Sequence, residues 1–384
     1  MRPMPGGEPL PAPTPSGERT VPVDPLTPPE LAVRLADPEW LEAPVTDGST
    51  PLVVVDLTGS GAVRLPPGLP PPAPGGAVPW RVLVGCADEG RPGVPEGLFD
   101  VLLCTGPAPP PWTPVPDLDR ALASLAGTCS VAPGAAGVLA QVLRLNEHRP
   151  LAEGTLVESL AYSTLLAGPE FARWLSASPP RTHRPATDPV LVHTDEDTGT
   201  VTLTLNRPEV RNAYDADTRD RLVDVLRSLA AMPDPPPVRL QGRGSSFCSG
   251  GDLSQFGTTP DPVRAHAVRT SRLPGLLLRS VGATARVHGS CVGAGIELPA
   301  FCRFVEADDG ATFRLPEVPM GLIPGAGGTA SIPARIGRHR TAYMALSAAE
   351  VPAETALRWG LVDAVGSWPG VGVGVGEEGP AHPQ

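Results

Sequence analysis

The order of apolar patterns along the chain predicts an α/β fold, with β-branched runs of strand length alternating with helix-length segments. Three observations carry this. The runs Leu52–Leu57, Arg81–Gly85 and Val101–Cys104 are short, apolar and separated by Pro/Gly loops, as expected for buried strands. From Gly137 to Leu175 the pattern turns helical, with Gly168-Pro169 separating two helices. Past the proline-rich stretch ASPPRTHRPATDP at 177–189 a second alternation begins, so the 384 residues divide into two units.

The expected organisation is a disordered Pro-rich tail over 1–30, a smaller α/β unit over 31–176, a linker over 177–189, a larger unit over 190–366 and a flexible Gly/Val/Pro tail over 367–384. In the larger unit, Pro189–His193 and Thr200–Leu205 flank Glu196-Asp197-Thr198-Gly199, a hairpin signal. Asp217–Ala231 reads as an amphipathic helix, Val238–Gln241 as a strand, Asp261–Ser280 as a helix and Thr284–Val287 as a strand. A helix is expected to open near Gly293, and Thr312–Leu315 to be a strand. Further helices are expected at Gly328–Ile336, Thr341–Leu346 and Pro352–Trp359.

Composition narrows the function. The formal charge is −11, and all 30 basic residues are arginine, with no basic run. A nucleic-acid or anionic-membrane partner is therefore not expected, and a phosphate would have to be met by guanidinium. The six cysteines show no CxxC pairing and no His clustering, so no zinc site or disulfide framework is expected. The N-terminus has no apolar leader core and no stretch reaches 18 apolar residues, from which a cytoplasmic protein is expected.

The chemistry concentrates in three glycine-rich runs: FCSGGDL at 247–253, HGSCVGAGIELP at 288–299 and FRLPEVPMGLIPGAGGT at 313–329. Glycine is needed where backbone N–H groups must approach a ligand closely, and a carboxylate beside such a loop can act as general acid or base. Glu297 and Glu317 are the two carboxylates so placed. Each alone is more simply a glutamate at a helix start, the CSGG turn alone an ordinary tight turn, and GAG alone a place of close helix packing; their joint spacing is what carries weight.

Together with LNRPEVRNAY at 205–214, these runs resemble the crotonase (enoyl-CoA hydratase/isomerase) superfamily over roughly Val190–Val365. The resemblance implies a ββα spiral core preceded by the smaller α/β unit. It implies an oxyanion hole built from the backbone at Ser249 and Ala294, which would hold the thioester oxygen as it becomes an enolate. It makes Glu297 the residue that deprotonates a water for attack at Cβ, Glu317 the donor of a proton to Cα, and Gly325 a backbone donor to that water. Arg207, Arg211, Ala213, Phe247, Gly250 and Asp252 become substrate-binding candidates; Arg207 is equally readable as a structural ion-pair residue, and Asp252 as a loop-fixing one. Phe256, Leu276 and Phe313 are candidate pocket walls. No metal and no cofactor is implied beyond the coenzyme A of the substrate, and a homo-oligomer is compatible with the family.

Two departures stand out. Arg303 occupies a position where the family commonly has Asp, and Pro299 sits two residues after Glu297. After Gly360-Leu361-Val362-Asp363 the several helices that usually close the acyl pocket do not follow. Residues 50–176, with a degenerate likeness to a crotonase-type unit, are expected to dock in their place. The implied activity is syn hydration of a 2-enoyl-CoA. Double-bond isomerisation, another crotonase reaction such as hydrolysis or decarboxylation, and a weakly catalytic partner-binding scaffold are the alternatives.

Overall fold

A computed structural model describes residues 24–58, 80–90, 93–259 and 261–367. The N-terminal half opens with α1 (Pro28–Leu35) and α2 (Pro38–Thr46), followed by β1 (Leu52–Asp56), β2 (Val82–Ala87), β3 (Val101–Cys104) and β4 (Thr113–Pro114). The four strands form one parallel sheet in the order β1-β2-β3-β4. Four helices follow: α3 (Leu118–Val131), α4 (Pro133–Asn146), α5 (Leu151–Leu166) and α6 (Pro169–Ala177). Proline stands at the first turn of α4 and α6 and just before α5, so each break falls where a proline cannot continue the preceding helix.

Residues 24–30 correct the expectation of a disordered tail reaching to position 30. Leu26 bridges to Val55, and the Glu30 carboxylate accepts from the Thr27 backbone N–H at 2.7 Å and hydroxyl at 2.8 Å, capping α1. The rest of that tail, 1–23, and residues 368–384 lie outside the described residues. Residues 178–189, between α6 and the next strand, form neither helix nor strand.

The C-terminal half begins with the hairpin β5 (Val190–Thr194) and β6 (Val201–Leu205), then α7 (Ala216–Ala230) and β7 (Val238–Gly242). The helical pattern expected over 261–280 is two helices, α8 (Pro262–Ser271) and α9 (Pro274–Ser280), because Pro274 removes the N–H that would have continued α8. Then come β8 (Thr284–Val287), β9 (Ser290–Val292), α10 (Ala294–Glu297), β10 (Phe304–Asp308), β11 (Thr312–Arg314), α11 (Gly328–Ser331), α12 (Pro333–Ser347), β12 (Val351–Pro352), α13 (Ala353–Trp359) and β13 (Ala364–Gly366).

A six-stranded sheet runs β13-β10-β8-β7-β6-β5, parallel except at the β5–β6 hairpin. A three-stranded sheet runs β12-β11-β9. Consecutive strand pairs β8/β9, β10/β11 and β12/β13 each place one member in the large sheet and one in the small, so the chain spirals between the two. This is the ββα spiral core that the resemblance implied.

The apolar core does not stop at the linker. One face of the N-terminal sheet (Val54, Val84, Leu103), helices α3 and α4 (Leu125, Leu139), and the C-terminal Ile336 and Leu346 belong to one buried cluster, each at most 6% exposed. The other face of that sheet forms a separate cluster with α1, around Leu31, Phe99 and Trp112. No single helix among the described residues is long and apolar enough to cross a membrane; α3 and α4 qualify only as a pair bent by 110°.

Polar bonds reinforce this junction. Arg338 of α12, 3% exposed, donates to the carbonyls of Phe99 (2.7 Å) and Gly97 (2.9 Å) and ion-pairs with Glu147 at 2.8 Å. Arg338→Ala strands these acceptors in a dry interface, and the expected cost is about 3 kcal/mol. Calorimetry should show the melting temperature lowered by several degrees, with both halves unfolding together.

Candidate active site

The two glutamates singled out from the sequence meet at one cavity of about 450 Å³. Glu297 closes α10 and is 2% exposed, and its Oε2 accepts the backbone N–H groups of Ala326 (2.7 Å) and Gly328 (2.9 Å). Pro299 is tolerated because α10 ends at Glu297 and the proline opens a separate 3-10 turn, Pro299–Phe301. Glu317 follows β11, and its Oε2 is buried with no hydrogen-bond partner. A side chain at Gly293, where φ is +50°, would overlap Glu317 Oε1, and its Cβ would lie 3.7 Å from Glu297 Oε1. Glycine there lets two acids face one space.

Burial pushes both carboxyls above their usual range; the charge of Glu297 raises Glu317 further, while the two backbone donors oppose the rise at Glu297. The turn holding Glu297 permits no added bulk. A Cβ at Gly328 would stand 2.6 Å from Glu297 Cγ and 2.7 Å from its Oε2. Gly328→Ala should therefore displace the Glu297 carboxylate and lower kcat by about a hundredfold, the usual scale for a displaced catalytic group, with the circular dichroism spectrum unchanged.

The oxyanion-hole expectation needs a correction at one of its two members. The Ser249 N–H donates to the Arg211 carbonyl at 3.0 Å, and Ser249 does not line the cavity. Gly251 takes its place. The parallel bridge between Tyr214 and Gly251 uses the Gly250 carbonyl and the Asp252 N–H, so the N–H of Gly251 points the other way. Gly251 and Ala294 both line the cavity, and among the described residues no backbone acceptor takes either amide N–H. Gly325 also lines the cavity.

Several substrate-binding candidates prove structural. Arg207 is 1% exposed and pairs with Asp215 and Asp252, each at 3.0 Å, so it is not a phosphate contact. Asp252 lines the cavity but is tied to Arg207 and to Ser254, at 3.0 Å from the Ser254 N–H, and fixes its loop. Phe247, 1% exposed, belongs to the core, and so does Phe313 at 0%; neither lines the cavity. Gly250 is buried with φ +96°, Ala213 accepts a hydrogen bond from Arg207, and Leu276 lies outside the cavity lining. Phe256 is a wall as expected. Arg211 stays exposed, held at φ 53°. His183, Asp215 and Asp217 bring ligand-type atoms within 4.8 Å of one another, but Asp215 is already neutralised by Arg207.

Sequence reasoning missed a whole wall. Tyr162 and Leu166 of α5 line the cavity opposite the glycine-rich turn. The Tyr162 ring packs directly over Gly325, where any Cβ would collide with it, and the Arg269 guanidinium stacks 4.4 Å from the ring centroid. No motif marks this wall: α5 buries Glu158, Ser159 and Ser163 beside Leu165, and an acid is almost never buried unless it is paired, but that burial shows only in the fold.

The family model for enoyl-CoA hydratase/isomerase matches residues 195–369. Over these residues the chain is similar to the crotonase superfamily. Among crotonase relatives, mevalonyl-coenzyme A hydratase of Aspergillus fumigatus is 35% identical over 165 residues, covering 42% of this chain and 61% of that protein. The 2,3-dehydroadipyl-CoA hydratase of Escherichia coli is 32% identical over 163 residues, covering 42% and 64%. The chain thus spans less than two thirds of either relative. A solved structure of a putative enoyl-CoA hydratase from Thermobifida fusca in complex with acetoacetyl-CoA matches at 26% identity and a TM-score of 0.43, over 47% of this chain and 74% of that one.

Proposed function

We propose that the protein is an acyl-CoA enzyme that adds water syn across the double bond of a 2-enoyl-CoA. One observation carries the reading: the buried Glu297, the half-buried Glu317 with its inward Oε2, and two unengaged amide N–H groups, of Gly251 and Ala294, open onto the same cavity. The thioester oxygen is held by those two amides, whose donors strengthen as it becomes an enolate. Glu297, steadied by the Ala326 and Gly328 N–H groups, takes a proton from water as the oxygen bonds to Cβ. Glu317 then gives its proton to Cα, for which its raised pKa suits it. The hydratase relatives support the choice of outcome.

Isomerisation is the second reading, favoured by one feature: the buried Glu317 Oε2 has no hydrogen-bond partner among the described residues, so it can shuttle a proton between Cα and Cγ. Incubation with a panel of 2-enoyl and 3-enoyl thioesters, followed by mass detection, separates the two. Gain of 18 mass units from a 2-enoyl substrate is the expected result. A shifted double bond at constant mass overturns hydration.

A further inference from the structure

The turn that braces Glu297 is held from its other side by a second acid. Four successive amides alternate between two carboxyls. Ala326 and Gly328 donate to Glu297. Gly327 and Thr329 donate to Glu158, at 2.7 and 2.8 Å, and the Thr329 hydroxyl lies 2.8 Å from Glu158 Oε2. Glu158 comes from α5, in the N-terminal half, and is 2% exposed. Removing a carboxyl from water is costly, and nothing in the proposed reaction so far uses this one.

We propose that Glu158 is a positioning residue for Glu297: it fixes the 326–329 turn and shares one proton with Glu297 across it. The inference rests on Glu297 being the base of the reaction proposed above. Two desolvated carboxyls braced on consecutive amides resist carrying two charges, so one proton is retained by the pair. Burial first, and then the charge of Glu297, pushes Glu158 up. The Thr329 hydroxyl can turn from donor to acceptor, so Glu158 keeps a complete set of partners in its protonated form. Glu297 is then the ionised member.

The other charged and titratable groups around the pair are few. Glu317 stands across the cavity and Arg314 acts on it; Tyr162 shares the helix with Glu158. Arg269 and His266 of α8 both meet Ser159, the residue next to Glu158. In the reaction, the pair goes from one proton to two as water is deprotonated, and the negative charge moves to the thioester oxygen. Glu317 then protonates Cα, and the extra proton returns from the pair to Glu317.

The test combines two measurements on the full chain. Infrared titration of the free full chain, with 13C-labelled glutamate carboxyls, reads protonation without turnover; every infrared sample carries Glu317→Gln, so that Glu317 adds no band of its own. In this background, with Glu158 and Glu297 both present, one buried carboxyl should remain protonated near neutrality. In Glu158→Gln and in Glu297→Gln the remaining carboxyl should titrate lower, by about one unit or more, because the coupling is gone. An upper step that survives unchanged in either variant overturns the shared proton.

Kinetics with the thioester that the wild type converts reads positioning. Glu158→Gln should lower kcat at least about tenfold with KM little changed, and Glu158→Asp, an acid but too short to reach the turn, should not restore it. Full activity in Glu158→Gln overturns the positioning role. If Glu158→Gln does not fold, Glu297→Gln decides the infrared arm by itself. A wild type that hydrates no thioester defeats the reaction reading and leaves the infrared result standing.

Discussion

Glu297→Gln and Glu317→Gln should each lower kcat for hydration by about 10²–10⁴-fold, the usual contribution of general acid–base catalysis. The two variants should differ in kind. Glu297→Gln puts an amide in place of the oxygen that receives two backbone N–H groups, so it loses the base and also disturbs the turn. Glu317→Gln leaves the backbone untouched and removes only the transferable proton. Exchange of the Cα proton in heavy water should vanish in Glu317→Gln before binding is affected. Hydration at wild-type rate in either variant would refute the two-glutamate mechanism.

The pH dependence follows with a definite sign. Burial raises both carboxyls. Glu297 must be ionised to act, so the rate should fall as pH drops through its raised pKa, nearer neutrality than an ordinary carboxylate would give. Glu317 must be protonated, so the rate should fall again as pH rises. A narrow bell is expected, its limbs belonging to the coupled acids jointly. For stability, the folded state binds more protons than the unfolded state between the ordinary carboxylate range and the raised values. The melting temperature should therefore decline as pH rises through that window.

The second large effect concerns the N-terminal half. A fragment spanning residues 188–367 should be insoluble or molten and should lack activity. It would expose Ile336, Met344 and Leu346, all at most 6% exposed in the whole chain, and would lose the Glu158 bonds to Gly327 and Thr329 along with the Tyr162 wall. Burying one such aliphatic side chain is worth about 1.5–3 kcal/mol, so exposing these three is comparable to the whole stability of an ordinary domain, about 5–15 kcal/mol. A soluble fragment that hydrates thioesters would sink this account. Near-ultraviolet circular dichroism and turnover of the fragment decide it.

How far the sequence could be read depended on range. Glu297, Glu317, Ala294 and Gly325 were legible because short glycine-rich runs place them by local geometry. Ser249 was misplaced by two residues, since which amide of a tight turn faces the ligand depends on the bridge that Tyr214 makes from another segment. Arg207 and Phe247 sit in motif positions yet serve the scaffold, and only their ion pairs and burial reveal it. Glu158 and Tyr162 could not be found from any motif. They act on residues more than 160 positions away, and their helix shows no polar face of its own until its partner is known. The break at Pro274 was readable in principle, and the helical pattern hid it.

The twelve residues 178–189 between α6 and β5, which form neither helix nor strand, give the active site a kinetic character. They tether the α5 wall to the glutamate loops, so the site assembles at a local concentration set by a short chain rather than by the amount of protein present. A cut in this tether would turn closure of the pocket into an encounter between two separate polypeptides.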